Sequence, residues 1–151
     1  MLSKFSLEKA VANDADEIAD VFMESRKGMT YLPDSLHTPD ETRQWIRGLI
    51  EDDANTILKA VSEHRGIAGF CGFREGWVDH LYVRPAYQGQ GIGSRMLKAA
   101  QESQGHLEVW VFQQNIDAIR LYERNGFRVA ERTDGSRNEE HEPDVRLVWD
   151  K

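Results

Sequence analysis

The sequence has very little cysteine: Cys71 is the only one among its 151 residues. An intrachain disulfide is therefore excluded, and a lone cysteine is typical of proteins from a reducing compartment. Residues 1–5 lack the apolar run of a signal peptide, and no stretch approaches the roughly 18 apolar residues that span a bilayer. We expect a cytoplasmic protein with no membrane partner.

Basic charge is also scarce, because 19 lysines and arginines stand against 26 aspartates and glutamates, for a formal net charge of −7. A protein built to bind nucleic acid needs a basic surface, so this class is disfavoured and we expect no nucleic-acid partner. The histidines are scattered without the spacing of metal ligands, which predicts no metal site. They are His37, His64, His80, His106 and His141.

The length and the apolar pattern predict one domain over residues 1–151. Turn residues separate a single helical pair near the start from a run of strands and two further helices. The strand–helix–strand stretch over residues 76–112 is predicted to be parallel, which makes the fold class mixed α/β. Strands are predicted at residues 5–11, 56–62, 67–74, 76–83, 106–112, 127–133 and 145–149, and helices begin near residues 14, 39, 91 and 115.

A glycine-rich turn at residues 84–91 is the most informative feature of the sequence. A strand ends at Val83, a helix begins near Gly91, and Gly89, Gly91 and Gly93 alternate at the junction. Glycine allows close approach of a ligand to the backbone. Free amide groups and the helix dipole make such a helix start an anion site, for which a diphosphate is the natural ligand. The alternative is a β-to-α turn that binds nothing.

The common nucleotide motifs do not fit this turn. The dinucleotide pattern G-x-G-x-x-G requires glycine where Ser94 or Met96 stands, and the Gly-Lys-Ser/Thr ending of the Walker motif is absent. The remaining pattern, Gln88-x-x-Gly91-x-Gly93, resembles the pyrophosphate-binding turn of the GNAT family of N-acetyltransferases.

A second motif supports this resemblance. Asn115 opens a helix that ends in Tyr122-x-x-x-Gly126-Phe127, which is similar to the GNAT signature. Asn115 and Tyr122 lie on one helix face, roughly 10 Å apart along the axis, so one ligand can touch both. Taken singly, Asn115 is also explained as a helix cap and Tyr122 as a core residue. The two motifs cover residues 81–127.

The resemblance implies a mostly antiparallel seven-stranded sheet with a central splayed parallel pair and about four helices. It implies that acetyl-CoA is the cosubstrate and that its acetyl group passes directly to a primary amine in a ternary complex. Tyr122 would be the general acid, since its reference pKa near 10 keeps it protonated. The implied cofactor-binding residues are Leu81, Tyr82, Val83, Gln88, Gly89, Gln90, Gly91, Ile92, Gly93, Ser94, Asn115 and Tyr122.

The general base is less clearly marked. Strand alternation places Asp79 on the face of Leu81, nearest the implied thioester, and makes it the first candidate, acting through water. Glu108 on the adjoining strand is second. His80 is third, because its pKa suits the role but alternation turns its side chain away. Covalent catalysis by Cys71 is disfavoured, since a cysteine in a glycine-rich strand is typically a small buried hydrophobe.

The resemblance also locates the acceptor, between the loop after the first helix (29–33) and the loop before the last strand (135–143). The second loop carries Glu139, Glu140, Glu142 and Asp144, which either attract an ammonium group or form a solvated acidic surface. A homodimer is compatible with the resemblance. The alternative function is a catalytically inactive CoA-binding sensor or interaction module of the same fold.

Overall fold

The computed structural model describes residues 4–151. Its elements follow the predicted order, and the predicted mixed α/β fold class is confirmed. Two short 3₁₀ turns, Ala12–Asp14 and Pro85–Tyr87, precede the first and third helices. The elements are β1 (Phe5–Lys9), α1 (Ala15–Lys27), α2 (Pro39–Glu51), β2 (Thr56–Ser62), β3 (Ile67–Arg74), β4 (Trp77–Val83), α3 (Ile92–Ser103), β5 (His106–Phe112), α4 (Ile116–Arg124), β6 (Arg128–Arg132) and β7 (Asp144–Asp150).

The seven strands form one sheet in the order β1-β2-β3-β4-β5-β7-β6. All neighbours are antiparallel except β4 and β5, which helix α3 connects and which run parallel. Their only registered pair is Trp77 with Glu108, and the Glu108 amide donates to the Gly76 carbonyl at 2.8 Å. Beyond this point the two strands lack ladder pairing, so the centre of the sheet opens toward their carboxyl ends.

Two helices begin with side-chain caps that the sequence predicts. The Thr38 hydroxyl accepts from the Glu41 amide at 3.1 Å, and the Glu41 carboxylate accepts from the Thr38 amide at 2.9 Å, which completes a capping box with Pro39 at the first helical position. At the start of α4, the Asn115 side chain accepts from the Ala118 amide at 3.3 Å. Helix α3 has no such cap.

Apolar side chains fill both faces of the sheet. Helices α1 and α2 cover one face through Ile18, Val21 and Ile46, which pack against Phe70 of β3. Helices α3 and α4 cover the other face, where the buried cluster includes Met96, Leu97, Tyr122, Leu107 and Leu147. Among the described residues, no helix is long and apolar enough to cross a membrane.

The loop between β6 and β7 depends on Gly135, whose φ is +82° and whose missing Cβ would stand 2.3 Å from the Glu142 backbone carbon. We expect Gly135→Ala to lower the unfolding free energy by about 2 kcal/mol, and hence Tm by about 4–8 °C, because it adds left-handed strain and a backbone clash. Thermal unfolding followed by circular dichroism measures this.

Gly48→Ala is the matched control for Gly135→Ala. Gly48 lies within α2, and a Cβ there meets nothing within 4 Å. Alanine favours helix over glycine, so this variant should leave Tm unchanged or raise it slightly. A Tm for Gly135→Ala equal to that of the unsubstituted protein would contradict the structural role of the glycine.

Candidate active site

A β-bulge in β4 decides which side chains face the site. Gly72 pairs with His80 and Phe73 pairs with Val78, so Asp79 is the extra residue with no partner on β3. Val78 and Leu81 both join the cluster under α3, although they lie three positions apart and a regular strand would turn them to opposite faces. The bulge therefore shifts the alternation on which the sequence-based choice of base rested.

An aromatic cavity of about 480 Å³ lies between the α1–α2 connection and the open centre of the sheet. Its ring-bearing walls come from four different elements, which is why no local sequence pattern marks it. The other ionisable side chains at its border are Arg26, Asp34, His37, Glu41, Glu139 and Glu140. The ring residues of helices and strands that line the cavity are Phe22, Trp45, His80, Tyr82, Trp110 and Phe112.

His80 and Tyr82 form the floor of this aromatic cavity. Their ring centroids lie 6.2 Å apart, and Trp45 packs edge-on against His80 at 5.2 Å. Burial lowers the pKa of His80, partly offset by the charge of Asp79, so the imidazole is neutral at neutral pH. Its Nδ1 is buried and has no hydrogen-bond partner among the described residues. Burial also raises the pKa of Tyr82 to about 12.

Asp79, the first candidate for the base, lies outside this cavity. Its carboxylate forms a two-point ion pair with Arg74, at 2.8 Å to Nε and 3.2 Å to Nη2. The bulge turns it to the surface, whereas His80, expected to point away, borders the cavity. The assignment of Asp79 as base stays a prediction, and this geometry gives it no support.

The other two side chains considered for catalysis are also engaged elsewhere. Glu108 accepts from His106 at 2.9 Å and from Arg146 at 2.5 Å, and these hydrogen bonds lower its pKa. Cys71 is fully buried, and burial raises the pKa of its thiol to about 12, so it carries no thiolate at neutral pH. Residues 4–151 contain no cluster of three or more histidine, cysteine or acidic side chains suited to a metal ion.

A second cavity, the glycine groove of about 620 Å³, runs along the start of α3 and the side of α4. Gln90 and Tyr122, which the resemblance also implies as cofactor ligands, do not border it. Tyr82 lines both cavities, so the two cavities are adjacent at β4. Of the residues implied by the resemblance, those lining the groove are Leu81, Tyr82, Val83, Gln88, Gly89, Gly91, Ile92, Gly93, Ser94 and Asn115.

The start of α3 has the features of an anion site. No side chain caps the helix, and its first backbone bond within the helix runs from the Arg95 amide to the Gly91 carbonyl at 3.1 Å. The amides of residues 92–94 precede that bond and find no acceptor within the helix. Gly89 and Gly91 have φ of +79° and +80°, and a Cβ on either would enter open space. Backbone amides and open space suit a diphosphate.

Two residues of the Gln88-x-x-Gly91-x-Gly93 motif also have structural roles. A Cβ on Gly93 would stand 3.1 Å from the Leu121 side chain, so this glycine allows α3 to pack closely against α4. The Gln88 side-chain amide nitrogen, Nε2, donates to the Val83 carbonyl at 3.1 Å and closes the turn. Asn115 both caps α4 and borders the groove, so its role as a helix cap is compatible with the predicted contact to a cofactor.

Tyr122 lies in the core under the groove, 4% exposed, with its ring edge-on to Phe127 at 5.2 Å. Burial is the main cause that holds its pKa well above the ordinary value, and the nearby Cys71 and Tyr82 add to the effect. The phenol is therefore protonated throughout the neutral range.

The sequence analysis missed two groove residues, Arg120 and Arg124 of α4. They stand four residues apart on one helix face, and within the described chain neither forms an ion pair. Two unpaired guanidinium groups beside free amides add positive charge to the groove. The sequence did contain a signal for them. Arg120 and Arg124 lie at helical spacing from Asp117 and Leu121, and all four residues line the groove.

The acidic loop before β7 reaches across to the first helix pair. Glu140 pairs with Arg26 at 2.8 Å, and Glu139 pairs with His37 at 2.8 Å. Asn138 donates to the Glu142 carbonyl at 2.7 Å and gives the loop internal support. Two of the four predicted acidic residues, Glu139 and Glu140, therefore border the aromatic cavity, where Glu140 is paired with the Arg26 guanidinium and Glu139 is hydrogen-bonded to the His37 imidazole.

Solved structures share this fold. The apo form of YjaB from Escherichia coli superposes with a TM-score of 0.77 at 22% identity, covering 97% of each chain. PaiA N-acetyltransferase from Thermoplasma acidophilum, in complex with coenzyme A, has a TM-score of 0.72 at 20% identity, covering 98% of this chain and 99% of that one.

Sequence relatives agree with this likeness. A spermine/spermidine N(1)-acetyltransferase of Bacillus subtilis (strain 168) is 40% identical over 58 residues, which are 34% of this chain and only 38% of that protein. An uncharacterized N-acetyltransferase of Archaeoglobus fulgidus is 25% identical over 142 residues, 83% of this chain and 94% of that protein. The family model for an acetyltransferase (GNAT) domain matches residues 50–129. The chain therefore belongs to the GNAT family.

Proposed function

We propose that this protein transfers the acetyl group of acetyl-CoA to the primary amine of an acceptor that enters the aromatic cavity. The observation that carries the proposal is the position of Tyr82, which lines both the glycine groove and the aromatic cavity. Two substrates bound in these cavities meet at the open centre of the sheet. Direct transfer requires such a meeting of the reacting groups.

The glycine groove suits coenzyme A. The uncapped amides at the start of α3 and the open space at Gly89 and Gly91 would receive the diphosphate, and Arg120 and Arg124 would add charge toward phosphate. Acetyl-CoA, when bound, supplies an activated thioester carbonyl. In the transfer a C–N bond forms, the C–S bond breaks, the amine loses one proton and the departing sulfur gains one.

Tyr122 is proposed as the donor of the proton to sulfur. An acid must be protonated before the reaction, and burial holds the pKa of Tyr122 well above its ordinary value. The neutral, buried Cys71 gives no support to a route through an acetylated cysteine, because the thiolate is the reactive form. Both observations favour direct transfer in a ternary complex.

His80 is proposed as the acceptor of the amine proton, in place of Asp79. It borders the aromatic cavity, it is neutral because burial lowers its pKa, and its Nδ1 has no partner in the described chain. Asp79 by contrast is fixed by Arg74 outside the cavity. Only an unprotonated side chain within reach of the amine can serve as base.

We expect His80→Gln to lower kcat/KM about 10–100-fold at neutral pH, because general-base assistance is lost while the side-chain volume is similar. The pH profile gives a second readout. Burial lowers the pKa of His80 below 6.5, so its protonation should produce a limb that falls below pH 6.5 in the unsubstituted protein and is missing in the variant. Initial rates of thiol release measure both.

Asp79→Asn is the matched control for this experiment. It removes a carboxylate one residue away and breaks only the pair with Arg74. We expect it to leave kcat/KM within about twofold of the original, as surface ion pairs contribute little. A large loss for Asp79→Asn together with none for His80→Gln would reverse the assignment.

The function itself is tested by mixing the protein with acetyl-CoA and a broad panel of primary amines while free thiol is followed. Acylation of any amine, with equal release of thiol, supports the transferase. Tight coenzyme A binding without turnover on the whole panel would favour the alternative, an inactive CoA-binding module.

A further inference from the structure

The walls of the aromatic cavity are dominated by rings. Phe22, Trp45, His80 and Tyr82 also pack against one another, with centroid distances of 5.2–6.4 Å and mostly edge-on geometry. This network holds the Trp45 indole in place at one side of the cavity. A rigid aromatic wall favours a flat ring, because ring pairs gain from edge-on and offset contacts beyond the area that they bury.

Exposure of apolar side chains concentrates at the same place. Trp45 is 42% exposed, Trp110 is 43% exposed and Leu36 is 77% exposed, and all three border the aromatic cavity. Large exposed apolar groups gathered around one opening are typical of a ligand site rather than of an ordinary surface. The bound molecule should therefore offer apolar area to both indoles.

Four carboxylates and one guanidinium border the aromatic cavity, so its charges favour a cationic amine. Glu139 and Glu140 are paired with His37 and Arg26, and the Glu41 carboxylate accepts from the Thr38 amide in the capping box. Asp34 is the cavity-lining carboxylate without a polar partner among the described residues, and it is exposed. The acidic border therefore favours an ammonium group, and the aromatic walls decide which group the amine carries.

We propose that the acceptor is an arylalkylamine, a primary amine on a short chain that carries one or two fused aromatic rings. The proposal rests on the transferase function proposed above. The ring lies against Trp45 and Trp110, and the amine reaches His80 and Tyr82, where the cavity meets the glycine groove. A volume of about 480 Å³ accommodates such a molecule. The products are the N-acetylated arylalkylamine and free coenzyme A.

The test compares kcat/KM for 2-phenylethylamine, tryptamine, 2-cyclohexylethylamine, spermidine and a lysine-containing peptide. We expect 2-phenylethylamine to exceed its saturated analogue about 3–10-fold, since the two differ chiefly in the ring electrons. Both aromatic amines should exceed spermidine and the peptide. If spermidine, the peptide or 2-cyclohexylethylamine is acetylated as well as the aromatic amines or better, the arylalkylamine proposal is overturned while the transferase function stands.

Variants of the indoles give an independent readout. Trp45→Leu and Trp110→Leu keep apolar bulk but remove the rings, and each should raise KM for 2-phenylethylamine about tenfold with KM for acetyl-CoA unchanged. Trp77→Leu is the control, because Trp77 borders neither cavity. Unchanged KM in both cavity variants contradicts the proposal. Failure of every amine despite coenzyme A binding overturns the transferase function itself.

Discussion

Gly91→Asp is expected to weaken the binding of coenzyme A about 100-fold, because it places a carboxylate beside the proposed diphosphate site and like charges a few Å apart repel strongly even when partly solvated. Gly91 has a φ of +80° and open space around a Cβ, so the new side chain fits sterically. Aspartate is among the residues that tolerate this conformation best. Isothermal titration with coenzyme A measures the effect.

Gly76→Asp is the matched control for Gly91→Asp. Gly76 also has a φ of +80° and open space, but it lies in the β3–β4 turn and borders neither cavity. Gly76→Asp should change Tm as much as Gly91→Asp does, but it should leave the affinity for coenzyme A unchanged. A second control is S-acetylpantetheine, which lacks the diphosphate and should bind the Gly91→Asp variant and the unsubstituted protein alike. If both substitutions weaken coenzyme A binding equally, the proposed anion site at the start of α3 is contradicted.

Tyr122→Phe is expected to lower kcat about 100-fold and to leave coenzyme A affinity nearly unchanged, because it removes a proton donor used only in the transition state. The ring contact with Phe127 survives in the variant, so Tm should change little. Burial holds the pKa of Tyr122 above its ordinary value of 10, so ionisation of this group should cause no loss of activity below pH 10 in the unsubstituted protein.

Saturation kinetics for both substrates separate this prediction from a change in binding. A fall in kcat with constant KM for acetyl-CoA agrees with the acid role. An unchanged kcat would show that water or another group protonates the sulfur, and a rise in KM alone would make Tyr122 a binding residue.

Local chemistry in the sequence predicted most of the fold. The capping box at Thr38 and Glu41 and the asparagine cap at Asn115 mark helix starts through contacts three residues apart. The first strand ends at Lys9 rather than at the predicted Val11, because the Val11 amide donates to the Asp14 carboxylate at 2.8 Å and turns the chain into α1. The sequence also marks the glycine groove, because one strand-to-helix junction supplies most of the residues that line it.

The aromatic cavity could not be predicted from the sequence, for a physical reason. The side of β4 that faces it depends on the bulge at Asp79, which exists only in the pairing with β3. Its border joins Arg26 to Glu140 and His37 to Glu139, pairs that lie more than 100 residues apart. Alternation within a single strand cannot report such pairings, so His80 was ranked below Asp79. Homodimerisation stays a prediction.

The amide resonances of residues 89–94 test the central claim most directly, because these amides are proposed to bind the diphosphate of acetyl-CoA. In a titration followed by ¹H–¹⁵N correlation spectra, we predict that acetyl-CoA causes large shifts of these amides and that S-acetylpantetheine leaves them near their starting positions. Saturation with acetyl-CoA while these six amides stay unmoved would contradict the account.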